Sequence, residues 1–72
     1  MPVSDSIRTI RKRTLMSQEE FAKVLGVSVG TINRWENGKS KPNIAALKQL
    51  KNFCINNEVP FDDIEEEWVN RQ

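Results

Sequence analysis

Three residues, at positions 26–28, separate two short helical segments, and this spacing constrains the fold more than any other feature of the chain. The first segment opens with Ser17 and Glu20, a Ser-x-x-Glu capping box in which each side chain accepts a hydrogen bond from the other residue's backbone N–H. Gly26 suits the left-handed conformation that ends a helix, and Ser28 suits the N-cap of the next. Two helices joined by so short a turn must cross steeply.

Helical periodicity extends to the N-terminal part of the chain, and no alternating run of the kind that forms β-strands is present. A first helix is expected over residues 5–13, with Ser4 as its N-cap and with Ile7 and Ile10 facing inward. The basic side chains expected to face outward are Arg8, Lys12 and Arg13.

Three more helices complete the predicted all-α fold. The third begins at Ser28, runs to position 36 or 37, and ends with Gly38 at its C′ position. The fourth begins after Pro42 with Asn43 as its cap, and its apolar face is Ile44, Leu47, Leu50 and Cys54. The fifth opens near position 60 as a short acidic helix, and its apolar residues are Phe61, Ile64 and Trp68. We expect one compact five-helix domain over residues 1–72.

The composition excludes several classes of site. The 72 residues include no histidine and one cysteine, Cys54, so an intrachain disulfide, a Cys/His zinc site and histidine-based catalysis are excluded. No apolar stretch is long enough to span a membrane, and the N-terminus lacks the layout of a signal peptide. We therefore expect a cytoplasmic protein, not an enzyme, with no cofactor, no metal and no membrane contact, in which Cys54 is a core residue.

Charge is distributed unevenly along the chain. Residues 1–51 contain ten Lys/Arg and four Asp/Glu, a net charge of +6, whereas residues 52–72 contain one and six, a net charge of −5. A basic body suggests a polyanionic partner, and an acidic C-terminal segment should lie away from that partner.

The third helix divides into an inward and an outward side at 100° per residue. The inward side consists of Ile32, Trp35 and Glu36. The outward side consists of Val29, Gly30, Asn33 and Arg34. This outward side is small or polar with one charge, a profile that suits a groove better than a packed protein surface.

The stretch at residues 17–39, SQEEFAKVLGVSVGTINRWENGK, resembles the helix-turn-helix of the lambda-repressor-like, Cro or Xre family of bacterial and phage regulators. The motif proper covers about residues 17–38, and the likeness extends over residues 7–50. It is carried by Gln18, Ala22, Gly26, Ile32 and Trp35, followed by Glu36, Asn37, Gly38 and Lys39. A small residue at position 22 permits close approach of the two helices.

The resemblance implies a sequence-specific transcriptional regulator, in the first instance a repressor, that binds double-stranded DNA as a homodimer with the third helix in the major groove. The residues that would face bases are Val29, Gly30, Thr31, Asn33 and Arg34. The residues that would contact phosphates are Gln18, Asn37, Lys39, Ser40 and Lys41. Arg11 and Glu36 match a pair that ties the first helix to the third in this family.

The chain departs from family members that carry Gln or Ser at the first two outward positions. Val29 and Gly30 cannot hydrogen-bond a base through a side chain, although Val29 can touch a thymine methyl group. Arg34 can read guanine and Asn33 adenine. We therefore expect modest direct readout in each half-site, with DNA shape and dimer symmetry adding to it.

Two alternatives remain open at this point. The first is an antitoxin or accessory module whose acidic C-terminal segment binds a protein partner. The bare edge at Val29 and Gly30 and the net charge of −5 over residues 52–72 favour it. An exposed patch would distinguish it, and four apolar residues of the last helix either close the core or form such a patch: Phe61, Ile64, Trp68 and Val69. The second is an enzyme. The consecutive acids at 65–67 are poor candidates for a catalytic pair, because neighbouring residues on a helix do not face each other.

Overall fold

A computed structural model describes residues 2–70, which form five α-helices. Their bounds are α1 Val3–Arg13, α2 Gln18–Leu25, α3 Val29–Glu36, α4 Ile44–Asn56 and α5 Asp62–Asn70. The described part of the chain contains no strand, so the predicted all-α, five-helix architecture is confirmed. None of these helices is long and apolar enough to cross a membrane.

α1 begins two residues earlier than predicted, and the predicted N-cap at Ser4 is wrong. Pro2 holds the N-cap position, where its carbonyl accepts the N–H of Ser6 at 3.0 Å, and no side chain caps this end. The two extra residues bring Val3 into α1, where it is buried in the core. Burying a valine is worth about 1.5–3 kcal/mol, whereas an N-cap is worth about 1 kcal/mol, so packing explains the earlier start.

The connection between α2 and α3 has the geometry that the sequence predicts. Ser17 Oγ accepts the N–H of Glu20 at 3.1 Å, and Glu20 Oε1 accepts the N–H of Ser17 at 3.0 Å, which completes the capping box. Gly26 follows α2 with φ of +71°. Ser28 Oγ then accepts the N–H of Thr31 at 3.1 Å and caps α3.

The core is built around two phenylalanine rings from α2 and α4. Phe21 and Phe53 pack edge to face, with ring centroids 5.3 Å apart and planes at 76°. The buried side chains around them include Ile7, Ile32, Trp35, Leu50 and Cys54. The core positions predicted for Trp35 and Cys54 are confirmed, because both side chains are buried.

The apolar face predicted for α4 is wrong at its first residue. Ile44 is 61% exposed, whereas Phe53, absent from the predicted face, is buried. Ile44 precedes Leu50 by six residues, which places it about 120° away around the helix. The buried stripe therefore passes through Leu50, Phe53 and Cys54, and Leu47 lies partly buried at its edge.

α5 closes the core. Phe61, just before the helix, and Ile64 within it are buried against the rest of the core. Trp68 is partly buried, and its indole Nε1 donates a hydrogen bond to the carbonyl of Pro42 at 2.7 Å. Val69 alone of the four apolar residues considered for this helix is exposed. The structure thus places Phe61, Ile64 and Trp68 in the core rather than in an exposed patch.

The turn between α1 and α2 contains a residue in an unfavourable backbone conformation. Leu15 has φ of +58°, and its side chain is 91% exposed. The following residue, Met16, donates its N–H to the carbonyl of Arg11 at 3.2 Å, a bond typical of a helix C-terminus at which glycine is preferred. Leu15 therefore carries the cost of the left-handed region without gaining burial.

We expect Leu15→Gly to raise the free energy of unfolding by about 0.5–1 kcal/mol, because glycine adopts a positive φ without steric cost. Leu15→Ala is the control, since it removes the same exposed side chain but keeps a Cβ, and it should leave stability within about 0.5 kcal/mol. Urea denaturation followed by circular dichroism measures both. Equal stability of the two variants would contradict the assigned strain.

Candidate nucleic-acid interface

α3 presents one side to the core and the other to solvent. Ile32, Trp35 and Glu36 are buried, in agreement with their predicted inward phase. At 100° per residue, Gly30, Asn33 and Arg34 lie away from Ile32, whereas Val29 is close in phase to Glu36. Val29, Asn33 and Arg34 are exposed, and Gly30 and Thr31 are half-buried. All five residues predicted to face bases are therefore at least partly accessible, over an arc of the helix wider than one face.

A chain of hydrogen bonds runs along the first two turns of this face. Ser28 Oγ and Thr31 Oγ1 are 2.9 Å apart, and Thr31 Oγ1 accepts a hydrogen bond from Arg34 Nη2 at 3.1 Å. A Cβ built on Gly30 would lie 3.6 Å from Arg34 Nη1. The guanidinium of Arg34 thus lies back along the helix, over the residue that has no side chain.

The last turn of α3 is ordered by its own polar side chains. Asn37 Nδ2 donates to the backbone carbonyl of Asn33 at 2.8 Å and to Asn33 Oδ1 at 3.2 Å. Gly38 follows with φ of +73°, and the N–H of Lys39 donates to the carbonyl of Arg34 at 2.9 Å. These bonds hold the start of the exit loop against the helix.

The exit loop extends the accessible surface beyond α3. Lys39, Ser40 and Lys41 are all exposed. Pro42 then turns inward and is buried, where its carbonyl receives the bond from Trp68. The loop therefore carries two lysines on its outer side while α5 fixes its far end.

Glu36, at the C-terminal end of α3, joins three helices. Arg11 of α1 donates to its carboxylate from Nε at 2.6 Å and from Nη2 at 2.9 Å. Gln18 of α2 donates from Nε2 to Glu36 Oε1 at 3.2 Å. The Glu36 side chain is only 2% exposed. This buried carboxylate therefore sets how α3 lies against α1 and α2.

Arg8 completes the contacts of this cluster: its side chain is 41% exposed, but it also makes a contact with α3 that the sequence did not predict. Its Nη2 donates to the backbone carbonyl of Glu36 at 2.6 Å, and its Nε lies 3.8 Å from Glu36 Oε1. A cation at a helix C-terminus is stabilising, because the last carbonyls carry partial negative charge. Arg8 and Arg11 are three residues apart and so share a side of α1, which is the sequence signal that they could act together.

Gln18, predicted to contact a phosphate, also makes a contact within the protein. Its amide nitrogen is engaged by Glu36, and the residue is half-buried. Gln18 is the first residue of α2 and therefore lies at the N-terminal end of that helix. The residue thus links the start of α2 to the end of α3.

The electrostatics of the cluster favour a charged Glu36. Burial disfavours the carboxylate, but the hydrogen bonds from Arg11 and Gln18 and the positive charges of Arg11 and Arg8 outweigh it, so the pKa of Glu36 lies below its usual value. The bond to Glu36 also raises the pKa of the Arg11 guanidinium. Arg11 donates further to the carbonyl of Met16 at 3.1 Å.

A model of the helix-turn-helix family matches residues 7–54, which is two thirds of the chain. The chain is also 42% identical over 45 residues to the uncharacterized HTH-type transcriptional regulator YiaG of Escherichia coli K12, a match that covers 62% of this chain and 47% of that protein. The predicted likeness to this family is confirmed.

Two further relatives have different roles. The Type II methyltransferase M.SsoII of Shigella sonnei is 43% identical over 54 residues, which cover 71% of this chain and 14% of that protein. The antitoxin HigA-2 of Vibrio cholerae serotype O1 is 43% identical over 47 residues, which cover 65% of this chain and 45% of that protein. The chain thus spans about half the length of YiaG and HigA-2. No solved structure matches it significantly.

We expect Glu36→Gln to reduce the dependence of stability on acid pH. The wild-type carboxylate contributes stability in full above its ordinary pKa of 4.5 and loses it as pH falls through the lower folded-state value. The variant should be less stable than wild type at pH 7 and should lose less stability between pH 7 and pH 3 (about the range of carboxyl titration). Urea denaturation across this range measures the effect.

Glu66→Gln is the matched control for that experiment, because Glu66 is exposed on α5. It should reproduce the wild-type pH profile. If Glu36→Gln and wild type lose the same free energy of unfolding on acidification, the ion pair with Arg11 is not the source of the pH dependence.

We expect Gly30→Ala to stabilise the fold by about 0.5–1 kcal/mol, since glycine is costly within a helix. The added Cβ would meet Arg34 Nη1 at 3.6 Å and Ser28 Oγ at 3.8 Å, both ordinary contacts. Gly26→Ala is the contrasting control, because its φ of +71° should make alanine destabilising by about 1 kcal/mol although the space is open. Thermal denaturation of both variants distinguishes helix propensity from backbone strain.

Proposed function

The chain belongs to the lambda-repressor-like, or Xre, helix-turn-helix family, and from that premise we propose that it is a transcriptional regulator that binds duplex DNA with α3 in the major groove. The observation that carries the proposal is the outward face of α3, which is accessible, small or polar, and fixed to α1 and α2 through Glu36. A rigid helix with such a face fits the major groove, which is wide enough to admit an α-helix.

We assign base reading to the outward residues of α3. Arg34 has the fork that matches guanine O6 and N7, and Asn33 has the amide that matches an adenine edge. Val29 would touch a thymine methyl group, Gly30 would allow close approach of the backbone, and Thr31 lies between them and Arg34. Because only two long polar side chains are available, sequence-dependent DNA shape contributes to the choice of site.

We assign phosphate contacts to the residues around α3. These are Gln18, Asn37, Lys39, Ser40 and Lys41. The lysines follow α3 on an exposed loop, where they would continue along the DNA backbone. Gln18 opens α2, and the N-terminal end of a helix favours an anion. Such contacts fix the position of the protein on the duplex and carry no sequence information.

We propose that the protein acts in the cytoplasm as a homodimer that represses by occupying its operator. Occupation of the operator is sufficient for repression, so no activity beyond DNA binding is required. A two-fold dimer places its half-sites about 10 bp apart or a multiple of that distance. The net charge of +6 over residues 1–51 supports attraction to DNA, and the net charge of −5 over residues 52–72 would direct that segment away from it.

A second candidate function, an antitoxin or accessory subunit, is supported by the similarity to HigA-2. In that case the acidic C-terminal segment would bind a protein partner. The burial of Phe61 and the bond from Trp68 to Pro42 favour a core role for these residues and so weaken this candidate. Co-purification of a stoichiometric partner from the native host would favour it.

We propose no catalytic activity for the chain. The similarity to M.SsoII covers 14% of that methyltransferase. Cys54 is buried, and burial raises the pKa of its thiol to about 11, so it is a poor nucleophile at neutral pH.

The first prediction of this proposal is that selection from a randomised duplex pool at about 150 mM salt enriches an inverted repeat. Weak non-specific binding is suppressed under these conditions, so enrichment reports base reading. The half-site spacing then gives the dimer geometry. Retention of duplexes without any shared sequence would contradict sequence-specific regulation and would favour the search for a protein partner.

The second prediction separates base reading from phosphate contact. Arg34→Lys keeps the charge but loses the bidentate fork, so it should lose about 1–3 kcal/mol of discrimination at one position in each half-site. Lys39→Ala should weaken binding to all sequences about equally and should reduce the magnitude of the log–log salt slope by about 1 per subunit. Competition titrations measure both, and a changed consensus with Lys39→Ala would overturn the assigned roles.

A further inference from the structure

We propose that Thr31 determines sequence specificity by holding the Arg34 guanidinium in the orientation that reads guanine. The inference rests on the proposed function and goes beyond it, because it assigns the precision of reading to a second residue. Thr31 is thus a positioning residue, which acts on base preference through Arg34. Its hydroxyl accepts the hydrogen bond from the Arg34 guanidinium.

The hydroxyl of Thr31 is itself anchored. Thr31 Oγ1 lies 2.9 Å from Ser28 Oγ, and Ser28 Oγ also accepts the backbone N–H of Thr31 at 3.1 Å. A threonine in a helix has two accessible χ1 rotamers, and these contacts select one of them. The acceptor that Arg34 meets is therefore itself held by the N-cap residue of α3, Ser28.

Arg34 is held in a conformation that leaves its reading edge available. Its Nη2 donates one hydrogen to Thr31 Oγ1 at 3.1 Å, and guanidinium has five N–H hydrogens in all. The second hydrogen of Nη2 and both hydrogens of Nη1 remain for a bidentate contact with guanine O6 and N7. The single hydrogen bond to Thr31 thus restrains the side chain and leaves the other N–H groups of the guanidinium for a base.

Gly30 provides the space that this conformation needs. Arg34 Nη1 would lie 3.6 Å from a Cβ at position 30, so the guanidinium lies over the bare backbone of the first turn. Long helical side chains incline toward the N-terminus, and Arg34 follows that direction. A long side chain at position 30 would compete for the same space, so the absence of Gln or Ser there is coupled to the placement of Arg34.

The energetic consequence is preorganisation. A free arginine side chain samples many rotamers, and ordering it on binding costs entropy. Holding the guanidinium before DNA arrives reduces that cost for the base that matches its orientation. Bases that need another orientation must break the bond to Thr31. The hydroxyl therefore increases the difference in affinity between guanine and the other bases.

The test compares Thr31→Val, which has nearly the same shape without the hydroxyl, with Thr31→Ser, which keeps the hydroxyl. Thr31→Val should reduce the preference for guanine at the Arg34-dependent position by about 2- to 10-fold, the range expected for one hydrogen bond. The loss should fall on that position rather than equally on all sequences. Thr31→Ser should retain most of the wild-type preference. Competition titrations with the selected site and its single-base variants measure these ratios.

A double-variant cycle connects the effect to Arg34. In an Arg34→Lys background, Thr31→Val should produce no further change in base preference, because the restrained fork is already absent. A full additional loss in that background would overturn the proposal, since Thr31 would then act on DNA directly. A uniform loss of affinity for all sequences with Thr31→Val would also overturn it and would indicate a phosphate contact or a folding defect.

NMR relaxation of the Arg34 Nε–H group in the free protein gives a readout that does not depend on DNA. Thr31→Val should lower its order parameter, and Thr31→Ser should not. An unchanged order parameter in Thr31→Val would overturn the restraint. If wild type enriches no sequence from the random pool, the proposed function fails and the specificity role fails with it. If wild type selects a guanine and Thr31→Val selects it equally well, only the role of Thr31 fails.

Discussion

The carboxylate of Glu36 is the point on which the arrangement of the first three helices depends. It is nearly excluded from solvent and receives hydrogen bonds from Arg11 of α1 and Gln18 of α2, while Arg8 bonds the carbonyl of the same residue. A buried ion pair of this kind gains little net stability, because desolvation offsets the attraction. Its value is geometric, since only one placement of α3 satisfies all of its donors. The outward surface of α3 is thereby held in one orientation relative to α1 and α2.

Short-range hydrogen bonds on α3 add a second level of order to the same surface. The N-cap Ser28 fixes Thr31, and Thr31 receives the guanidinium of Arg34. Gly30, which leaves the leading edge of the helix bare, gives that guanidinium room to lie along the first turn. The bare edge and the single charge are therefore parts of one arrangement. A helix with bulkier residues at its start would present its arginine differently.

The C-terminal part of the chain supports this surface from the other side. α5 covers the core through Phe61 and Ile64, and Trp68 bonds the carbonyl of Pro42 at the end of the exit loop. Four of the five acidic residues of α5 are exposed, including Glu65, whose carboxylate lies 3.4 Å from Lys51 Nζ. This segment thus stabilises the fold with its apolar residues and keeps its negative charge at the surface.

Local sequence determined the elements of this protein, and tertiary packing determined how their ends and faces are used. The capping box at Ser17, the left-handed Gly26 and the inward phase of Trp35 are encoded within one or two turns, because short hydrogen bonds and a period of 3.6 residues need no distant partner. The predicted N-cap at Ser4 and the predicted inward position of Ile44 are wrong, and the contact of Arg8 was not predicted, because each outcome depends on packing between helices. Core packing draws Val3 into α1, the buried stripe of α4 passes through Phe53, and α3 ends beside Arg8. The residues of the outward face could be named from sequence alone. The hydrogen bond between Arg34 and Thr31 and the convergence of donors from α1 and α2 on Glu36 depend on the placement of side chains in three dimensions.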